Sequence, residues 1–210
     1  ENRFIDHFKS NTEIYQGMEV IDQKLGGTTP LDIVINPDQK YFDYLKEASE
    51  EVDDDPFAEA SEELDDNYWF NSNMLDRVEQ IHDYLDSLRE VGKVQSISTL
   101  IKVFTQLDKG LKPDDYDLVL IRKLMPKSVK ESLVNPYLSP DANQIRITMR
   151  LIESDPTLRR TQLIEKIRNY LVETLKFDPE TIHFTGMVVL YNNMLQSLYR
   201  SQILTIGVVF

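Results

Sequence analysis

Gln144-Ile145-Arg146-Ile147-Thr148-Met149-Arg150-Leu151-Ile152 alternates apolar and polar side chains from Ile145 to Leu151. Successive residues of a strand face opposite sides of a sheet, so Ile145, Ile147, Met149 and Leu151 point one way and Arg146, Thr148 and Arg150 the other. The stretch predicts a strand with one packed face and one wet face. Downstream the period changes. Ile164, Ile167, Leu171 and Leu175 lie at three- and four-residue spacing, the buried side of a helix over Thr161 to Lys176. Ile182 and Phe184 then give a second strand, ending at Gly186.

The same pattern is present upstream. Leu31, Ile33 and Ile35 alternate in a short strand closed by Asn36-Pro37. Asn73 is a suitable cap for a helix carrying Leu75, Val78, Ile81, Leu85 and Leu88 on one face, with Gly92 as its stop. Val94 to Ile97 reads as a brief strand. Two β-α-β units follow, predicting an α+β, ferredoxin-like fold with a four-stranded sheet and helices on one face. Between the units, Ser98 can cap a helix with Leu100, Ile101, Phe104 and Leu107, broken by Gly110 and Pro113. Residues 114–134 read as short helices split at Pro126, so 110–140 is a helical insertion.

Outside this core, Phe4, Phe8, Ile14, Met18 and Ile21 suggest helix over residues 3–24, interrupted near Asn11-Thr12 and stopped by Gly26-Gly27. The expected organisation is a helical segment at 1–27, an α+β domain at 28–186 and a C-terminal helix from 187 to 210. The chain has 210 residues, enough to bury a substantial core. Its net charge of -13 argues against a nucleic-acid surface or an anionic membrane surface, which reward clustered Lys and Arg. Much of the acid lies in the insert 43–66, where twelve carboxylates face the single base Lys46. Self-repulsion and few large apolar residues predict a solvated loop or marginal helix there.

Chemistry is sparse. Without cysteine there is no disulfide, thiolate nucleophile or Cys-based zinc site. His7, His82 and His183 are far apart and form no HExxH pattern. His82 flanks the apolar face of its helix, the place of a satisfied boundary histidine, and His183 sits opposite Ile182 and Phe184 on its strand. Asp53-Asp54-Asp55 lacks the loop spacing and central glycine of an EF-hand. Neither a phosphate-cradling glycine loop nor a Gly-x-Ser-x-Gly elbow is present. No catalytic, cofactor or metal residue is assigned, and no enzyme activity is expected. Tyr68, Trp69 and Phe70 follow the acidic insert directly. They either anchor the loop on the core or contact a hydrophobic ligand or partner, because aromatics give large contact area at low entropic cost.

The ending, Ile203-Leu204-Thr205-Ile206-Gly207-Val208-Val209-Phe210, is apolar on an otherwise acidic chain. Eight residues span only about 12 Å as a helix, against roughly 20 residues needed to cross a bilayer. Either a docked terminal element or the first turns of a membrane helix fits this composition. A start at Glu1 without Met, and without an apolar signal region, reads as an excised piece.

Four stretches carry a family likeness: Lys24-Leu25-Gly26-Gly27-Thr28-Thr29-Pro30-Leu31-Asp32-Ile33-Val34-Ile35, Gly92-Lys93-Val94-Gln95-Ser96-Ile97-Ser98, Asn143-Gln144-Ile145-Arg146-Ile147-Thr148-Met149-Arg150 and Phe184-Thr185-Gly186-Met187-Val188-Val189-Leu190. In this order, and with the apolar exit, the chain from about residue 12 onward resembles the first extracytoplasmic loop of a resistance-nodulation-division (RND) superfamily exporter, in the MMPL-like branch of hydrophobic-lipid exporters. The resemblance implies a porter-type subdomain between two membrane helices, on the periplasmic side of the bacterial inner membrane. The implied partners are the parent's transmembrane domain, its second periplasmic loop and a hydrophobic small molecule or lipid, and a homo-oligomer is a further expectation. Such exporters are proton-driven, but their proton-relay acids lie in membrane helices, so no residue here inherits that role. The acidic insert matches no family mark. The competing expectation is a structural or interaction domain that never touches substrate.

Overall fold

A computed structural model describes residues 8–41, 43, 68–107, 110–140 and 143–209. Four strands form one sheet: β1 (Thr29–Ile35), β2 (Val91–Gln95), β3 (Ile145–Leu151) and β4 (Ile182–Thr185). Their order is β2-β3-β1-β4, with antiparallel pairing at every step. The described residues also form the α-helices α1 (Glu13–Lys24), α2 (Ser72–Asp86), α3 (Ile97–Leu107), α4 (Asp115–Leu124), α5 (Lys127–Leu133), α6 (Arg160–Asn169) and α7 (Met187–Val209). The expected α+β fold with two β-α-β units is what forms: β1-α2-β2 and β3-α6-β4 interleave so that β1 and β3 lie at the centre.

The alternating pattern of β3 is realised residue by residue. Ile145, Ile147, Met149 and Leu151 are buried, while Arg146 and Arg150 are exposed. Register aligns Ile33 with Ile147 and with Phe184, placing the apolar residues of three strands on one face. Leu75, Val78, Ile81 and Leu85 of α2, with Leu163 and Ile167 of α6, cover that face and form the core. On the opposite face Arg146 donates to Asp32 at 2.7 Å, across the two central strands.

Several local expectations need correction. The cap of α2 is Asn71, not Asn73: its side chain accepts from the Met74 amide at 2.9 Å and donates to the Tyr68 carbonyl at 2.8 Å. The helix also ends at Asp86, well before Gly92, and Leu88 is buried in the turn beyond it. Gly92 belongs to β2, which runs Val91–Gln95 and not Val94 to Ile97. A Cβ at Gly92 would stand 2.4 Å from the Gly26 backbone. The residue is therefore a close approach of two chains, and reading it as a helix stop mistook packing for punctuation. Similarly, the hydroxyl at the start of α3 is that of Ser96, which accepts from the Ser98 amide at 3.2 Å. The helix predicted over Thr161 to Lys176 loosens into a π turn at Tyr170–Thr174. Lys176 then takes the left-handed conformation, φ 58°, where glycine is the usual residue.

The N-terminal helix begins at Glu13, capped by Thr12, so the interruption expected at Asn11-Thr12 is its start. Its apolar residues do not join the core, since Ile14, Val20 and Ile21 are exposed and Asp22 is its buried residue. Most of the acidic insert, 44–66, lies outside the described residues, as does His7.

Candidate functional site

Three places could carry function: the aromatic trio, the helical insertion above it, and a polar junction at one end of the sheet. Tyr68, Trp69 and Phe70 are all buried, Trp69 completely. Trp69 stacks on Phe177 with ring centroids 6.3 Å apart, and its indole N–H donates to the Asn143 carbonyl at 3.2 Å. The Arg77 guanidinium lies 3.9 Å above the Phe177 ring and donates to the Leu175 carbonyl at 2.5 Å. Tyr68 meets both Tyr41 and Trp69 edge-on, and burial pushes its phenol above the usual range. The trio thus pins the entry to α2 onto the second β-α-β unit and offers no flat exposed patch. Phe70 additionally lines a cavity.

That cavity, of about 230 Å³, is lined by Phe70, Met125, Val134 and Leu138 together with Arg122 and Lys130. Met125 also borders a second, almost entirely apolar groove of about 340 Å³, formed by Phe104, Leu120, Ile121, Leu124 and Val129 among others. Met125, at the α4–α5 turn, lines both spaces. Helix α4 starts with a capping box, Asp114 accepting from the Asp117 amide at 2.8 Å and Asp117 accepting from that of Asp114 at 3.2 Å. Asp115 accepts from the Ser72 amide at 2.7 Å, which holds its carboxyl below the usual range and ties α4 to the start of α2. Lys112 bridges Asp76 and Glu79 on α2. Pro126 then separates α4 from α5 by sterically excluding helix in the residue before it. The segment was expected as helices split at Pro126. Its cavities were not foreseen. The signal was present, however, in the apolar spacing Leu120, Ile121, Leu124 and in the bases Arg122, Lys123, Lys127 and Lys130 against the lone acid Glu131 between Leu118 and Pro140.

The junction gathers residues from distant parts of the chain. Asp22, at the end of α1, accepts from the amides of Glu153 at 3.0 Å and Ser154 at 2.6 Å and from the Thr28 hydroxyl at 2.7 Å. Glu153 in turn forms a buried two-point pair with Arg160 at the start of α6, one limb running from Nε to Oε1 at 3.2 Å and the other from Nη2 to Oε2. The same guanidinium lies 5.6 Å from the Tyr191 ring centroid of α7. Gly27, with φ +92°, passes so close to β3 that a Cβ would stand 2.5 Å from the Leu151 carbonyl oxygen. Asp22, Glu153 and Arg160 are buried, yet each charge has partners, as a dry site requires.

No family model matches the chain, and no curated protein matches it. The resemblance to MMPL-like exporters therefore rests on the four quoted stretches alone.

His82 is buried and its Nδ1 lies 2.9 Å from the Ser96 hydroxyl; burial, and then the charge of Lys102, lower its pKa. His183 is paired with the Asn36 amide at 3.1 Å. Neither histidine is hydrogen-bonded to a carboxylate among the described residues. Among those residues no group of three or more His, Asp or Glu could hold a metal ion, while Asp53-Asp54-Asp55 lies outside them. Among them, too, no helix is long and apolar enough to cross a membrane.

Proposed function

We propose that this chain is a porter-type domain on the periplasmic side of a proton-driven exporter of hydrophobic or lipid-like substrates, contributing to the substrate path and to conformational coupling. The observation that carries the reading is where the flanking helices attach. Helix α1 feeds into β1 at Thr29, and β4, antiparallel to β1, pairs its last residue Thr185 with the mid-strand Asp32 and passes through Gly186, beside Pro30, into α7. Both helices thus join one end of the sheet, as they must in a domain inserted between two membrane helices. Helix α7 supports the reading further. Val188 is fully buried, but Leu190, Met194, Leu198, Tyr199, Ile203, Leu204 and Ile206 are exposed, an apolar surface that a neighbouring structure would cover.

Coupling has a physical basis in the junction. Asp22 bonds the backbone of the β3–α6 loop, Glu153 of that loop pairs with Arg160 of α6, and the Arg160 guanidinium faces Tyr191 of α7, a chain of contacts that supports communication between α1 and α7. The interaction-module alternative loses its named patch, because the aromatic trio is buried.

The test is the location of the native gene product in its own cells. Retention in the membrane pellet through a carbonate wash, with the domain digested by protease added outside the inner membrane, is the expected result. Recovery in the cytosolic fraction overturns the proposal.

A further inference from the structure

We infer that the helical insertion is a binding site for a long-chain carboxylate, with the acyl chain in the apolar groove of α3, α4 and α5 and the carboxylate in the basic cavity behind Met125. Two independent properties of the site select this ligand. The groove presents Phe104, Leu120, Ile121, Leu124, Pro126 and Val129, a lining with almost no polar surface that suits an acyl chain. The adjoining cavity presents Arg122 and Lys130 over an apolar floor. Together the two spaces reach the scale of ligand pockets, roughly 300–1,000 Å³.

Charge is what commits the site to an anion. The chain carries a net -13, and an acidic surface repels carboxylates. Between Leu118 and Pro140 the sign reverses, with Arg122, Lys123, Lys127 and Lys130 against Glu131. Arg122 is half-buried, and among the described residues neither it nor Lys130 forms an ion pair. A guanidinium offers a planar fork that receives a carboxylate through two parallel hydrogen bonds, and a nearby ammonium adds a point charge. An anionic head anchored there leaves its tail nowhere drier to go than the groove that shares Met125. A neutral lipid would fill the groove but leave the two cations unanswered. This inference stands on the insertion alone and does not require the exporter reading.

Titration of the 210-residue chain with cis-parinarate, and in parallel with its uncharged methyl ester, tests it. Saturable binding of the carboxylate is expected, with the ester weaker. Arg122→Gln combined with Lys130→Gln should weaken the carboxylate by about tenfold or more while leaving the ester unchanged, since a lost charged hydrogen bond is worth at least about 1.4 kcal/mol. Val129→Asp should weaken both, and Leu124→Ser, at a well-exposed rim position, serves if Val129→Asp fails to fold by circular dichroism. Absence of saturable binding overturns the inference. So does equal binding of acid and ester that ignores the double substitution, which would make the groove a general apolar surface. A sedimentation shift from dimer to monomer on Val129→Asp with parinarate binding intact also overturns it, assigning the groove to a second copy of the chain. Binding as expected by a chain recovered in the cytosol would sink the exporter reading alone.

Discussion

The polar junction at the start of β1 and the helical insertion at 110–140 are built on opposite principles. At the junction, three buried charged residues and two close-packed glycines leave almost no alternative geometry, because every group has a partner and every gap is backbone-wide. In the insertion, Leu118 is buried but Leu111, Tyr116, Leu120, Leu124 and Leu133 are exposed, and cavities separate the helices. The difference teaches where each kind of function can live. A densely satisfied network transmits displacement, since interiors are packed like crystals and do not absorb strain. A loosely covered apolar surface accepts a guest.

The contrast can be broken most directly at Glu153. Glu153→Ala strands the buried Arg160 guanidinium and should cost about 3–5 kcal/mol in urea unfolding. A loss no greater than that of a surface substitution would mean that the junction is not the rigid part. Next in size is Gly27→Ala, which combines a left-handed backbone with a methyl group driven into the Leu151 carbonyl. Roughly 3 kcal/mol of destabilisation is expected, read as a fall in the urea midpoint.

A smaller effect belongs to His82, whose folded pKa is lowered. Above pH 6.5 the imidazole is neutral in both states and exacts no penalty. As pH falls below 6.5 the unfolded chain takes up a proton first, so stability declines until the folded pKa is passed. His82→Gln should flatten that acid limb of a stability-versus-pH curve; an unchanged limb assigns it to other groups. The smallest effect should be Leu124→Ser in the insertion. Removing an exposed leucine there is expected to shift stability by less than about 0.5 kcal/mol. A loss comparable to Glu153→Ala would show the insertion to be as tightly determined as the junction.

How far these regions were legible follows from the range of the interactions that form them. β3 could be read directly because its alternation is local and one sheet face is buried. The helix faces of α2 and α6 were visible for the same reason. Boundaries were less so: Asn73 and Asn71 are chemically equal caps, and only the hydrogen bond of Asn71 to the Tyr68 carbonyl distinguishes them. Gly92 was misread because its meaning depends on Gly26, 66 positions away. The junction itself was invisible, since Asp22 lies 131 positions from Glu153 and reaches the Glu153–Arg160 pair only through the tertiary fold. The trio was seen as a core anchor or a ligand contact, and burial of all three side chains agrees with the anchor. The cavity behind Phe70 needed α4 and α5 in place before it existed.

Helix α7 has a mechanical consequence. From residue 193 to 206 every described side chain is exposed, so among the described residues the helix packs on the domain through its first turns. Its 23 residues make a rod about 34 Å long. A tilt of about 10° at its base sweeps the far end through about 6 Å, while the root, beside Arg160, shifts far less. Small angular shifts at the root, near the buried ion pair, therefore correspond to large displacements at the apolar end.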